Sequence, residues 1–183
     1  MSDNEVFPAD ETRDTAADAS LRGAVIVAAV PGQAPRVIKE AARYAALLRA
    51  PLVVVHVDVT RFVTYEDPDG FVQTAPVDIH IDAGAEELEA VTRAAEEHLT
   101  GKDVQWSVRQ LVGDPALALK HFADKIDARL IVVGTRKRGI GDSIREFFTG
   151  SVAARLSHRQ HRSILVVPVG EPISDDEDWP IEG

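Results

Sequence analysis

The chain has 183 residues, no cysteine and a formal net charge of −10. That length suffices for one domain with a sizeable core plus tails, and the missing cysteines exclude disulfides, thiolate metal ligands and a cysteine nucleophile. No stretch approaches the roughly 20 continuous apolar residues of a transmembrane helix, and residues 1–10 lack the basic and apolar regions of a secretory signal, so the expectation is a cytoplasmic protein with no membrane partner.

In chain order, residues 1–22 come first, with six acids against two bases. They are polar and without periodicity, the composition of a disordered acidic tail. Gly23-Ala-Val-Ile-Val-Ala-Ala-Val30 reads as a buried strand that stops at Pro31-Gly32. Residues 34–49 place Val37, Ala41, Ala45 and Leu48 at helical spacing. Leu52-Val-Val-Val-His-Val-Asp58 is a second strand. Residues 59–81 read as irregular, with Pro68, Gly70 and Pro76 as breakers.

A helix from about Asp82 to Leu99 puts Leu88, Val91, Ala95 and Leu99 on one face, with Gly101 just beyond it. Val104 to Leu111 alternates like a strand with a more exposed face. Gly113-Asp114-Pro115 starts a helix, Asp114 as N-cap and Pro115 in the first turn, and Leu119, Phe122, Ala123 and Ile126 point inward from it. Leu130-Ile-Val-Val133 is the fourth strand, Ser151 to about His158 a helix, and Ser163 to Val169 the fifth strand. Residues 171–183 carry six acids and no base, a second disordered tail. The body between the tails, 23–170, has eighteen charges of each sign.

Strands alternating with helices predict right-handed crossovers and a parallel sheet covered on both faces, a three-layer α/β domain. Ligands of such sheets sit beyond the carboxyl ends of the strands, at the topological switch point. That places Val30 to Gln33 and the loop from Gly134 to Asp142 beside the candidate site. The segment 129–162 is basic, with eight Arg and Lys against Asp142 and Glu146, whereas 66–97 has ten acids against Arg93. A glycine- and cation-bearing loop that ends at a helix start is an anion cradle. The fifth strand closes the apolar part of the chain, and Pro168 there demands an edge position. An uncovered edge predicts a homodimer through Ile164, Leu165, Val166, Val167 and Val169; the alternative is an edge covered by the acidic tail.

The strand followed by Pro31-Gly32, the Val-Val-Val-His-Val run, Gly113-Asp114-Pro115, Leu130-Ile-Val-Val-Gly-Thr-Arg136, Gly150-Ser-Val-Ala153 and Ile164-Leu-Val-Val-Pro168 occur here in order. Together they resemble the universal stress protein family over about residues 23–169. The resemblance implies a Rossmann-like, adenine nucleotide alpha hydrolase-like sheet of order 3-2-1-4-5, dimers through the last strand and roles in stress survival. Some family members bind ATP or AMP, and others bind no nucleotide. Nucleotide-binding members have an aspartate just after the first strand, where this chain has Pro31. Their phosphate motif is a glycine, two residues, a glycine, nine residues and Gly-Ser or Gly-Thr. Gly134 and Gly150-Ser151 fit its ends, but Lys137 stands at the second glycine, and twelve residues (138 through 149) follow it.

The site implied by this match comprises Val30, Pro31, Gly32, His56, Gly134, Thr135, Arg136, Lys137, Gly139, Gly141, Gly150, Ser151 and Val152, with ATP or AMP as ligand and Mg accompanying ATP. Each feature has a second reading. The glycines serve either a phosphate or turns with positive φ, and Ser151 contacts phosphate, caps a helix, or both. Arg136, Lys137 and Arg138 neutralise phosphates or are a solvated run. His56 lines the adenine region or is a hydrogen-bonded strand residue. His158 and His161, three apart, have no carboxylate beside them in sequence, and no metal is expected. No Walker A pattern or Gly-x-Ser-x-Gly elbow is present, so the expectation is a non-enzymatic regulatory module without nucleic-acid partners. The competing reading is a dimeric stress-related interaction protein that binds no nucleotide.

Overall fold

The computed structural model describes residues 18–59, 62–66, 72–76, 81–135 and 152–169. The elements, in chain order, are β1 (Val25–Ala28), α1 (Pro35–Leu48), β2 (Leu52–Asp58), β3 (Phe62–Glu66), β4 (Val72–Pro76), α2 (Ile81–Leu99), β5 (Trp106–Val112), α3 (Pro115–Lys125), β6 (Leu130–Gly134), α4 (Val152–Ser157) and β7 (Ser163–Val167). Five strands form one parallel sheet in the order β5-β2-β1-β6-β7. Counting only these five, that is the order 3-2-1-4-5.

The sheet alternates its side chains between two cores, the geometry that a strand period of two imposes. Val25, Val27, Leu52, Val54 and Val132 face α1 and α2, against Val37, Ile38, Ala41, Val91, Ala95 and Leu99. Ile26, Val53, Val55, Ile131 and Val133 face α3 and α4, against Leu119, Phe122, Ala123 and Leu156. Each fully buried Val, Leu or Ile contributes about 1.5–3 kcal/mol relative to exposure. Leu21 belongs to the second core at 6% exposure, so the packed body begins ahead of Gly23, inside the stretch that composition alone groups with the acidic tail.

The ends of the helices are fastened by named contacts. Arg49 closes α1 in the left-handed region at φ 49°, its N–H bonding the Ala46 carbonyl. Arg129 Nη1 donates to the Leu48 carbonyl at 3.1 Å, satisfying one orphan acceptor of that last turn. At the far end of α3, Arg162 donates to Asp124 and, through Nε, to the Ala128 carbonyl. Lys120 bonds Asp124 from the same helix. These hydrogen bonds, first that from Lys120 and then that from Arg162, hold the Asp124 carboxyl below its ordinary pKa.

Two differences from the sequence reading stand out. The segment read as irregular contains an antiparallel hairpin, β3 with β4, pairing Phe62 with Pro76 and Glu66 with Val72. Phe62-Val-Thr-Tyr65 has strand composition, and Pro76 ends a strand instead of breaking one, as a two-stranded sheet has only edges. The last strand also stops at Val167, leaving Pro168 just outside it. β7 is nevertheless the sheet edge that Pro168 demanded.

Gly84 in α2 lies against the end of β2, for a Cβ there would overlap the carboxylate of Asp58, which is fully buried. Alanine is ordinarily better in a helix by about 1 kcal/mol. Here overpacking, about 1–3 kcal/mol, outweighs that gain, so Gly84→Ala lowers the urea midpoint. Adding Asp58→Ala recovers part of the loss, and the coupling is read from a double-mutant cycle.

Candidate functional site

β1 lies at the centre of the sheet, and the helical connections to its two sides run over opposite faces. The chain passes from β1 through α1 on one face to β2, and from β6 through α4 on the other face to β7. The crevice between the carboxyl ends of β1 and β6 is therefore the switch point of the fold.

Val30, Pro31, Gly32 and Gln33 form one wall as a tight turn, closed by the Gln33 N–H bonding the Val30 carbonyl at 3.2 Å. Gly32 takes φ +67°, and a Cβ there would meet nothing among the described residues within 4 Å. Conformation, not crowding, thus requires glycine at the third position of this turn. Val30 is 58% exposed at the rim. α1 begins directly after the turn, with Ala34 as N-cap making no side-chain capping bond.

Gly134 forms the opposing wall for a different reason. Its φ is not positive, but a Cβ would lie 2.7 Å from Gln33 Nε2, 3.0 Å from Val37 Cγ2 and 3.1 Å from Val169 Cγ2. The Gln33 amide thus reaches across the crevice to β6, and its Oε1 is buried with no hydrogen-bond partner among the described residues. Thr135 is engaged at the same level. Its N–H donates to the Val167 carbonyl and its hydroxyl accepts from the Val169 N–H, both at 2.9 Å.

His56 lies beneath the mouth. It is 1% exposed, its Nδ1 is 3.3 Å from the Ala29 carbonyl, and its Nε2 is 3.2 Å from Glu87 Oε2 on α2. The second contact is close but misdirected, since Nε2 makes no hydrogen bond of acceptable geometry among the described residues. The ring supports the end of β1 from below, as a hydrogen-bonded strand residue does, and its face is not open to the crevice.

The helix that follows the glycine loop is anchored by a buried carboxylate. Asp114, 7% exposed, caps α3 by accepting the Leu117 N–H at 2.9 Å, and its second oxygen takes Arg155 Nη1 of α4 at 2.5 Å. Val152, the first residue of α4, packs on the second core. Arg136, Lys137, Gly139, Gly141, Gly150 and Ser151 lie outside the described residues. Among the described residues, no group of three or more His, Asp or Glu is placed to hold a metal ion. None of their helices is long and apolar enough to cross a membrane.

Sequence reasoning placed Gln33 beside the site as the end of the Val30–Gln33 turn but gave its side chain no role, and it passed over Arg155. Gln33 carries no motif, and only its position one residue past Pro-Gly marks it. Arg155 had a usable signal: it lies four residues after Ser151, on a short helix facing a capping aspartate.

A three-layer α/β domain with its crevice at the switch point is thus the class of protein defined by the fold. The sequence model of the universal stress protein family matches residues 24–168, and the chain belongs to that family. A universal stress protein solved in complex with cAMP is 22% identical, with a TM-score of 0.56 over 82% of this chain and 99% of its own. One from Archaeoglobus fulgidus in complex with dAMP is also 22% identical, with a TM-score of 0.51 over 80% and 98%. A family protein from Burkholderia pseudomallei is 28% identical, with a TM-score of 0.55 over 81% and 98%. No curated protein sequence matches the chain significantly.

The Asp114 node separates two contributions. Asp114→Asn keeps a cap but loses the charge pair to Arg155, whereas Asp114→Ala loses both. Stability in urea therefore falls in the order native, Asn, Ala, with the second step about 1 kcal/mol.

Proposed function

We propose that this protein is a non-enzymatic regulatory module of the stress response that binds an adenine nucleotide, AMP or ATP, in the crevice between β1 and β6. Val30, Pro31, Gly32, Gly134 and Thr135 form the described wall, with His56 beneath it and Val152 opening the helix beyond. Arg136, Lys137, Gly139, Gly141, Gly150 and Ser151 supply the phosphate side, with Mg accompanying ATP. The observation that carries this reading is Gln33, whose amide oxygen is buried at the mouth without a partner among the described residues. A buried acceptor left unmade costs about 1–3 kcal/mol, and the exocyclic amine of adenine is a donor of the right kind. Gln33 would thus provide a polar contact on the side of the crevice where the family pattern has aspartate and this chain has Pro31.

Family membership and the cAMP and dAMP complexes of similar folds support the same ligand class. Binding is the activity we assign.

Mass spectrometry of ligand released from gently purified protein, followed by calorimetry, tests the reading. AMP or ATP–Mg should give binding heat at micromolar to millimolar concentration, and Gln33→Leu should weaken AMP about tenfold. IMP, which lacks the exocyclic amine, should bind the native chain and Gln33→Leu alike. No heat with either nucleotide at millimolar concentration would leave the alternative, an interaction protein that binds no nucleotide.

We further propose that the protein is a homodimer through β7. The strand is a sheet edge with one row of backbone groups unpaired within the sheet, and Val166 stands 45% exposed on it. Ile164, Leu165, Val167 and Val169 pack mainly into their own chain's cores, so backbone pairing and Val166 would make the contact. Val166→Asp should convert the dimer to monomer in sedimentation; an unaltered dimer would exclude this edge.

A further inference from the structure

All five strands of the sheet are entered past a cation. Val25, Leu52, Trp106, Leu130 and Ser163 stand in register at the starts of their strands. Arg22, Arg49, Lys102, Arg129 and Arg159 lie in the turns just ahead of them, and all five are exposed. None of the five forms an ion pair with a described residue. Arg129 bonds the Leu48 carbonyl beside Arg49, and its Nε would be 3.3 Å from a Cβ at Gly23, beside Arg22, so these three sit together. Neighbouring strands are about 4.8 Å apart, so the row crosses the sheet end in about 20 Å. Screening at physiological salt extends about 8 Å, and adjacent cations act as one field. In the same turns the exposed acids are Asp103 and Asp127, the latter 3.9 Å from Arg162. Arg49 also holds a left-handed conformation in which glycine is the usual residue.

We infer that this cationic end, opposite the nucleotide crevice, is the docking surface for the acidic segment formed by residues 1–17 of the same chain. Charge complementarity is the first argument: that segment holds Asp3, Glu5, Asp10, Glu11 and Asp14 against Arg13 alone. The second is its point of attachment. Asp18 pairs with Lys125 Nζ at 2.6 Å, at the end of α3, and Leu21 is buried in the second core, so the segment joins the body at the end where the cations stand. Reach is the third. Seventeen residues extend up to about 56 Å, well beyond the width of the row, and a tether of this length gives an effective concentration of the order of millimolar. The acidic residues 171–183, by contrast, follow β7 from the opposite end of the sheet.

The chain has no cysteine, so Ser2→Cys places a single nitroxide label on it. At low salt the label should cause loss of amide peak intensity at Arg49, Lys102, Arg129 and Arg159. The loss should be reversed by about 0.5 M salt, where screening falls to a few ångströms, and by combined Arg49→Glu, Lys102→Glu and Arg159→Glu. Arg129 is left in place in that variant because it also caps α1. Intensity retained at these loops in the labelled native chain overturns the inference, as does a loss that survives the charge reversal. A loss seen from a label at Ser174→Cys and not from position 2 would make the other acidic segment the occupant and would also overturn it. A loss that disappears on mixing with excess unlabelled protein would show contact between molecules and reject docking within the chain. None of these outcomes depends on nucleotide binding.

Discussion

The rest of the structure depends on the common level at which the strands start. Val25 stands opposite Leu52 and Leu130, Leu52 opposite Trp106, and Leu130 opposite Ser163. A slip of one residue between β1 and β2 would send Ile26 or Val53 toward the wrong core. Both faces are buried, so register here is fixed by two cores and not by turn geometry. A parallel sheet with level ends has two unlike poles. One gathers the strand exits and, with them, the crevice between β1 and β6. The other gathers every strand entry, and here it gathers the arginines.

Much of this frame was legible in the chain. Val25 to Val27, Leu52 to Val55 and Leu130 to Val133 are apolar without interruption, as strands buried on both faces must be, and each is a strand of the sheet. Helix α3 was marked at its start by Asp114-Pro115, and the side chain of Asp114 does cap it. The hairpin was hidden because Pro68, Gly70 and Pro76 outweigh a five-residue alternation in any local reading. Pairing between Phe62 and Pro76 is a relation between positions, which composition does not carry.

The site was legible as a place but less so as a mechanism of packing. Gly134 could be marked as important from its neighbours, yet whether φ or crowding selected glycine depends on Gln33, Val37 and Val169. Gln33 and Val37 are about 100 residues away in sequence, and Val169 lies just past the end of β7. The same holds for Asp114 and Arg155, 41 positions apart. Sequence proximity reveals caps and turns; it does not reveal which charged group a buried carboxylate will meet across two helices. His56 illustrates the converse: its strand position was evident, while its burial against Ala29 and Glu87 is a product of the fold alone.

The path of the chain through the sheet has a further result. It enters near Asp18 at the pole of the strand starts and leaves after Val169 at the pole of the strand ends, since β1 and β7 run the same way. Whatever is joined ahead of residue 18 is therefore delivered to one pole, and whatever follows residue 169 to the other. A fluorescent domain fused before Asp18 would report on the arginine end without shadowing the crevice. The same domain fused after Val169 would sit beside the crevice, next to the Thr135 hydrogen bonds and the edge strand. For this fold the choice of fusion end is a choice of which surface to obstruct.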